Sequence, residues 1–278
     1  MRPLLLAALL ALPLRVVAAG PDWSADPVRG VRGELAPKFS PSQGASPAPS
    51  FAGQPGQFDY YVLSLEWHPA FCAGHGGLEE CRPPATSEFD HDLVLHGMWP
   101  SRSGDRSNSY GFCGVSAAIR ALDTPAQRCQ MPEVPMSAAT RGTLNAHMPG
   151  TDACLERHEW YRHGTCSGLS GDAYFGAADA MLLQAISSAV GRFVAAHAGS
   201  TVSGSDVVAA AVQDWGGKAQ GAVRLNCVSA GGGQTLSEVR LTLSPSVSAS
   251  SSLGASLTGS DLTGNCPASF TILGGPSR

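Results

Sequence analysis

The pattern of apolar and polar residues predicts strands near both ends of the region that follows residue 57. The segment FDYYVLSLEW (58–67) is rich in aromatic and β-branched residues, which favours a strand. A second strand is predicted over DLVLH (92–96), and Gly97 and Pro100 are expected to end it. Three further strand-like segments follow towards the C-terminus between turns rich in glycine and serine: VRLNCV, LSEVRLTL and SFTIL.

Helices are predicted between these strands. ACLERHEWYRHG (153–164) has a helical pattern that ends at Gly164, and DVVAAAVQDW is a helix predicted to start after Ser205 and to stop at Gly216. A longer helix is predicted over 173–197 because apolar residues recur there on one face, at Phe175, Ala178, Leu182, Ile186, Val190 and Phe193. Strands at both ends with helices between them favour an α+β domain over a parallel α/β domain.

The first 57 residues have a different character. Residues 1–19 combine Arg2, an apolar run and a small-residue end, which is typical of a secretory signal peptide. A membrane anchor is the alternative, but the apolar run is shorter than the roughly 20 residues that span a bilayer. Residues 20–57 are rich in proline, serine and glycine and are predicted to be a flexible leader. The folded domain is therefore predicted over 58–278.

Eight cysteines all lie beyond the predicted signal peptide. An even number of cysteines in an oxidising compartment predicts disulfides in preference to free thiols or zinc ligands. Short separations make Cys72–Cys81 and Cys227–Cys266 the first pairs to expect. Spacing alone leaves the pairing of the others open: Cys113, Cys129, Cys154 and Cys166.

Charge limits the kinds of partner that the protein can have. The formal net charge is −4, and loss of Arg2 and Arg15 with the signal peptide makes it more negative by two. Lys218 is the single lysine after residue 57. A protein that binds polyanions over a wide surface normally carries a basic stripe. A nucleic-acid substrate is therefore expected to be held locally, at a few phosphates.

Candidate chemistry is concentrated in HEWYRHGTC (158–166). On a straight helix with roughly 100° per residue, His158, Glu159, Arg162 and His163 share one face. A solvated face with ion pairs is one interpretation. A zinc site is another, although the two histidines are five residues apart and the H-E-x-x-H motif has them four apart. The third is acid–base catalysis at an anionic centre, since imidazole titrates near neutral pH and arginine stabilises phosphate charge.

The catalytic interpretation needs a partner histidine from another element, and LVLHGMWPS (93–101) contains His96. Taken alone, His96 is expected to be a structural histidine. Together, LHGMWP (95–100) and HEWYRHGTC resemble the two active-site motifs of the ribonuclease T2 family, which are secreted acid endoribonucleases with little base preference. FDYYVLSLEWHPAFC resembles the first strand and first cysteine of the family, and DAYFG, LSEVRLTL and TGNC resemble its bacterial members.

The resemblance implies a single disulfide-stabilised domain in which helices pack on a central antiparallel sheet. It implies that His163 takes the proton of the ribose 2′-hydroxyl and that His96 protonates the departing 5′-oxygen, whereas the residues alone leave these two roles open. Single-stranded RNA would be cleaved to a 2′,3′-cyclic phosphate and then to a 3′-phosphate, without a metal or another cofactor. The implied protein is a secreted or periplasmic monomer with no protein partner.

The same resemblance assigns the remaining site residues. Glu159 and Arg162 would stabilise the charged phosphorane, while His158 and Trp99 would hold the phosphate and the sugar. The family usually has lysine where this chain has Arg162, and leucine where it has Met98. Arginine keeps the positive charge but is bulkier and cannot lend a proton, so activity is expected to persist at an altered rate.

The resemblance also implies that Cys113 pairs with Cys166, which leaves Cys129 to pair with Cys154. Three aromatic residues are candidates for stacking on the bases of RNA, and packing in the core or in a loop is the alternative for each: Trp99, Tyr110 and Phe112. Two rival functions are a secreted binding or signalling protein that lacks catalysis and a zinc-dependent hydrolase. The presence of His96, Glu159 and His163 disfavours the first, and insensitivity to chelators would exclude the second.

Overall fold

The computed structural model describes residues 53–82, 88–105 and 109–275. The predicted signal peptide and residues 20–52 of the predicted leader lie outside these ranges. Within them, no helix is long and apolar enough to cross a membrane. Strands of the described ranges form one sheet, and their bounds are β1 Tyr60–Trp67, β2 Leu93–Ser101, β3 Ser200–Ser203, β4 Val223–Ala230, β5 Gly233–Leu243 and β6 Ser269–Ile272.

Helices cover one side of this sheet and fill the middle of the chain. The α-helices of the described residues are α1 His68–His75, α2 Ala117–Ala121, α3 Ala138–His147, α4 Leu155–His158, α5 Gly171–Ile186, α6 Ala189–Ala196, α7 Gly204–Trp215, α8 Lys218–Ala222 and α9 Leu253–Ser256. Shorter 3₁₀ turns lie at Glu79–Cys81, Glu88–Asp90, Arg128–Gln130, Pro149–Ala153 and Gly164–Cys166. The α+β class that the sequence predicts is confirmed.

The sheet is antiparallel except at one position. Its strand order is β2-β1-β5-β6-β3, and β4 pairs with β5. The exception is a parallel pairing of β5 with β6 at Thr235 and Thr271. Since β1 pairs only with residues 238–243 of β5, the first residues of β5 extend past β1 and leave an edge on which β6 can pair. The sequence did not predict β3, which is four residues long and mainly polar.

The predicted end of one strand and the predicted extent of one helix are wrong. Strand β2 does not end at Gly97 but continues to Ser101, and it accommodates Pro100 because it lies at the edge of the described sheet, where a missing N–H is tolerated. The helix predicted over 173–197 is two helices. Ser188 ends their continuity, since its backbone is extended and its hydroxyl accepts from Gly191 N to cap α6.

The two faces of β1 have different surroundings. Tyr61, Leu63, Leu65 and Trp67 belong to the main core together with the buried sides of α5, α6 and α7. Burial of this apolar area is the main force that holds the helices on the sheet. The alternate residues of β1, which point to the opposite face, include Ser64 and Glu66. The opposite face is therefore where buried polar side chains collect.

Four disulfides hold the loops, and they join the same pairs that the sequence and the family resemblance lead one to expect: Cys72–Cys81, Cys113–Cys166, Cys129–Cys154 and Cys227–Cys266. The second bridge ties the loop after β2 to the end of the HEWYRHGTC segment. Near it, Gly56 N donates to the backbone oxygen of Cys166 at 2.8 Å. Residues 53–57 thus contact the folded domain just before its predicted start.

Candidate active site

His96 occupies an irregular position in β2. Gly97 pairs with Ser64 of β1 and Leu95 pairs with Leu65, so His96 is the extra residue of a β-bulge. A bulge changes the direction of the side chain that it contains, and such bulges are common beside active sites. Here the ring points to the polar face of the sheet, and its Nδ1 lies 2.6 Å from Oε1 of Glu238.

Glu238 is itself held by Arg240, two residues further along β5. The guanidinium of Arg240 donates to Glu238 Oε2 through Nε at 2.8 Å and also through Nη2. Both residues are buried. Burial opposes ionisation of Glu238, but the charges of Arg240 and His96 outweigh it and lower the pKa of Glu238 to about 2. The neighbour of His96 is therefore a carboxylate at neutral pH.

This carboxylate determines the charge of His96. Burial disfavours the imidazolium, but the hydrogen bond and charge of Glu238, with smaller contributions from Glu159 and Glu66, raise the pKa of His96 to about 9. His96 is accordingly protonated throughout the neutral range. Its Nδ1 is committed to Glu238, so Nε2 is the nitrogen that can deliver a proton.

The sequence predicts a straight α-helix over the HEWYRHGTC segment, but the structure differs. Helix α4 ends at His158, and Glu159–His163 form a π-helical turn. Since a π-helix bonds residues five apart, His158 and His163 lie on the same side, with ring centroids 5.8 Å apart. Such turns are rare and occur often at functional sites. The π-helical turn therefore explains how two histidines that are five residues apart can face the same side.

Glu159 is fully buried at the centre of the site. Trp99 Nε1 donates to its Oε2 at 2.7 Å, while its Oε1 lies 3.7 Å from His96 Nε2 and 4.0 Å from His158 Nε2. Burial raises the pKa of Glu159, against the opposing effects of both histidines and of the tryptophan. Gly97 makes room for this carboxylate, since a Cβ there would lie 2.0 Å from Glu159 Oε2.

His163 lies in an environment opposite to that of His96. It is buried against Trp99, with ring centroids 5.5 Å apart, and no described residue hydrogen-bonds to its Nδ1. Burial lowers the pKa of His163 well below its ordinary value, and the positive charges of His158, Arg162 and His96 lower it further. His163 is therefore neutral when His96 is charged.

His158 is oriented by a carboxylate from outside both motifs. Its Nδ1 lies 2.6 Å from Oδ1 of Asp123, which follows α2. This contact leaves His158 Nε2 directed towards Glu159 and the space in front of it. No sequence pattern indicates Asp123, because the residue lies in a loop between two cysteines and only the tertiary fold brings it to the helix.

Glu238 and Arg240 were also missed, although a signal for them existed. They stand two residues apart in LSEVRLTL, a segment that is otherwise suited to a buried strand, so both charges fall on one face. Charged residues at alternate positions of a buried strand are costly unless they are paired. The pattern therefore points to a buried ion pair, but not to its contact with His96.

The aromatic candidates have different surroundings. Trp99 is almost fully buried between His96, His163 and Arg240, so it orders the site and offers no free face. Of the two roles considered for Tyr110, the structure supports packing: the ring is buried, and its hydroxyl donates to Gln54 O at 2.8 Å.

Phe112 is half-buried and contacts two guanidinium groups. The Cζ atoms of Arg120 and Arg162 lie 5.0 and 5.2 Å from the centre of its ring. Phe112 N also donates to Arg162 O at 2.9 Å. These contacts join Arg162 to the loop that Cys113 anchors, and they place a local concentration of positive charge beside His163.

The zinc interpretation loses the cysteines nearest to the histidine cluster, because Cys154 and Cys166 are both bound in disulfides. In the described ranges, one group has ligand atoms close enough for a metal ion, and it consists of His68, Cys72 and Cys81. The two cysteines of that group form a disulfide with each other. Their sulfur atoms are therefore not available as thiolate ligands.

Comparison with known families gives a consistent result. The family model described as the Ribonuclease T2 family matches residues 58–253. Ribonuclease I of Escherichia coli (strain K12) is 32% identical over 256 residues, which cover 86% of this chain and 94% of that protein. The chain belongs to the ribonuclease T2 family. It is an endoribonuclease, and RNA is its substrate.

Solved structures share the fold. An S-ribonuclease of Nicotiana alata associated with self-incompatibility matches with a TM-score of 0.54 at 18% identity, covering 78% of this chain and all of that one. RNase MC1 of bitter gourd, as a mutant in complex with 5′-GMP, matches with a TM-score of 0.52 at 21% identity, covering 77% of this chain and all of that one.

Proposed function

We propose that the protein cleaves single-stranded RNA by metal-independent transphosphorylation, with little base specificity, as a secreted or periplasmic monomer. The observation that carries the mechanism is the contrast between His96 and His163. The first is a partly buried imidazolium bound to a carboxylate, and the second is a buried neutral imidazole beside Arg162 and His96. A general acid and a general base are thus both ready in the free enzyme at neutral pH.

In the first step, His163 accepts the proton of the ribose 2′-hydroxyl while the 2′-oxygen attacks phosphorus. The bond between phosphorus and the 5′-oxygen breaks, and His96 Nε2 donates its proton to that oxygen. The products are a 2′,3′-cyclic phosphate and a free 5′-hydroxyl, and the two histidines have exchanged protonation states. DNA has no 2′-hydroxyl, so it is not a substrate.

In the second step, the histidines act in reverse. Neutral His96 accepts a proton from water, whose oxygen attacks the cyclic phosphate, and protonated His163 returns a proton to the 2′-oxygen. The product is a 3′-phosphate, and both histidines regain their first states. No redox change occurs, and no group other than water enters.

Glu159 and its neighbours stabilise the phosphorane. Oε1 of Glu159 is directed between His96 and His158, and burial raises the pKa of this carboxyl. Glu159 therefore takes up a proton more readily than an exposed glutamate does when a negatively charged phosphate is next to it, and can share that proton with a phosphate oxygen. His158 Nε2 faces the same region, 4.0 Å from Glu159 Oε1. Arg162 adds positive charge near His163, which stabilises oxygens that gain negative charge in the transition state.

Four disulfides support an oxidising compartment, and the predicted signal peptide supports export to the periplasm or the medium. The chain as a whole is acidic and has a single lysine after residue 57, so RNA is expected to be held locally, at a few phosphates. A small site that contacts one phosphodiester and its ribose is consistent with little base specificity.

The test uses purified, oxidised protein on a short RNA with a chelator present, between pH 4 and pH 8. The wild type is expected to produce cyclic-phosphate ends, and the His96→Ala and His163→Ala variants are not. Inhibition by the chelator would support the zinc-dependent hydrolase instead. Absence of cleavage at every pH would support the non-catalytic binding protein.

A further inference from the structure

The polar face of the sheet contains a second set of buried charges that no active-site motif includes. Glu238 on β5 is paired in register with Glu66 on β1 and with Asn226 on β4, and Arg240 is paired with Ser64. Directly opposed residues point to the same face. The register therefore places Glu238 and Arg240 on the face to which the bulge turns His96.

We propose that Glu238 is a positioning residue for the general acid His96, and that Arg240 holds Glu238 in place for this task. The inference extends the proposed function, because it explains how the acid keeps its orientation and its proton. Glu238 does not contact the reacting atoms. It acts through the ring of His96, to which it is bound at 2.6 Å.

Each oxygen of Glu238 has a separate partner. Oε1 accepts from His96 Nδ1, and Oε2 accepts from Arg240. In the amide orientation that satisfies both groups, Asn226 Oδ1 accepts from Arg240 Nη1 at 3.0 Å. The guanidinium also lies 5.2 Å from the centre of the Trp99 ring. The carboxylate is therefore held by contacts that continue into the site.

Strand β1 lies between His96 of β2 and Glu238 of β5, and its small side chain at position 64 allows the two residues to be in contact. Ser64 of β1 is fully buried and lies opposite Gly97 on one side and Arg240 on the other. The small side chain of Ser64 leaves space above β1, so a histidine from β2 can contact a carboxylate from β5, whereas the space at Gly97 is taken by Glu159. A larger side chain at position 64 would occupy the space above β1.

Other charges also face His96 from each element around it. The titratable and charged groups on that side are Glu66 of β1, His68 of α1, Glu238 and Arg240 of β5, Arg128, and His158, Glu159 and His163 of the catalytic segment. Among them, Glu238 is the acid in hydrogen-bond contact with the ring. Loss of its charge removes the main group that favours the imidazolium, so the pKa of His96 must fall.

Glu238→Gln is the central variant. A glutamine oxygen can face either His96 or Arg240, and the amide NH₂ then opposes the other donor. We expect the alkaline limb of kcat/KM to move about two pH units lower. At pH 8, kcat should fall about tenfold or more while KM changes by less than about threefold. A role in stability alone would not move the alkaline limb.

Glu66→Gln is the matched control, because it removes a carboxylate on the same face that pairs with His68 and does not contact His96. The alkaline limb of kcat/KM should move less than half as far in Glu66→Gln as in Glu238→Gln. Glu238→Asp keeps the charge and withdraws the oxygens by one methylene, so it should lower kcat with a smaller displacement of the limb. If the glutamine variant fails to fold, the Glu238→Asp variant still tests the proposal.

Histidine-labelled protein followed by NMR measures the ionisation of His96 without turnover. A folded Glu238→Gln variant with an unchanged His96 titration and an unchanged alkaline limb would overturn the proposal. Equal displacements in the aspartate and glutamine variants would also overturn it. If the wild type cleaves no RNA, the proposed function fails, while the titration still shows whether Glu238 controls His96.

Discussion

The two histidines of the proposed acid–base pair come from regions built in different ways. His96 lies at a bulge in an edge strand and is bound to a carboxylate, whereas His163 ends a π-helical turn where no described residue bonds to its Nδ1. His163 is buried and His96 is partly buried, and this burial by itself lowers the pKa of each imidazole. Their different neighbours move the pKa of His96 to about 9 and leave that of His163 far lower.

The comparison shows that residue type alone does not define a catalytic role. The two imidazoles become an acid and a base because one faces Glu238 and the other faces His158 and Arg162. Each irregular segment turns its ring into the same space, on the polar side of a sheet whose other side is apolar core. Removing one histidine or the other should therefore affect the two proton transfers separately.

The largest effect is expected from removing either histidine. His163→Ala and His96→Ala should each lower kcat on RNA by about 10²–10⁴-fold, which is the usual contribution of a positioned acid or base. The two differ on a nucleoside 3′-phosphate aryl ester, whose leaving group needs no proton. His96→Ala should recover most of its activity on that ester, and His163→Ala should not. The opposite pattern of recovery would reverse the two assignments.

Gly97→Ala tests the contact between the two regions. The new methyl would meet the buried carboxylate of Glu159, so we expect a loss of about 1–3 kcal/mol in the free energy of unfolding and a lower kcat. Gly142→Ala in α3 is the matched control, because nothing lies within 4 Å of its added Cβ and alanine favours a helix. Thermal unfolding and initial rates measure both. Equal stability of the two variants would contradict the close approach at Gly97.

The pH dependence of activity tests the difference in pKa between His96 and His163. His96 must be protonated, so kcat/KM should fall as pH rises through about 9, and His163 must be neutral, so activity should persist well below pH 6.5 before it falls. A broad plateau from the acidic to the neutral range is expected. Initial rates on a dinucleotide measure both limbs. A profile that rises continuously to pH 9 would contradict the assignment of the acid.

The smallest effect is expected at Arg162. The guanidinium lies on Phe112, and a lysine there would lose the planar contact while keeping the charge. Arg162→Lys should change kcat by more than about twofold but by less than about tenfold. Arg192→Lys, an exposed position on α6, should leave it unchanged. Equal rates for both variants would show that position 162 does not tune turnover.

Much of the fold could be predicted because its periodic patterns are long. The apolar face of 173–197 and the aromatic run of 58–67 both reflect burial against the core, which side-chain periodicity records directly. The break at Ser188 was missed because a cap depends on a local backbone choice that apolar spacing does not reveal. Strand β3 was missed because its four residues carry no apolar alternation.

The candidate site could be predicted only where its residues are close in sequence. His158, Glu159 and His163 are conspicuous because they lie in one short segment. The α-helical geometry assumed for that segment is wrong, however, since Glu159–His163 form a π-helical turn. Glu238 and Asp123 contact the histidines across 142 and 35 positions of sequence. Such contacts depend on strand register and loop closure, which no local pattern contains.

The bridge between Cys113 and Cys166 has a consequence for the cell that makes this enzyme. It joins the end of the π-helical turn to the loop that carries Phe112, and thus supports the base side of the site. A newly made chain in a reducing cytoplasm would lack this bridge. We expect such a chain to be a poor nuclease, so that RNA in a reducing compartment is spared until the bridge has formed.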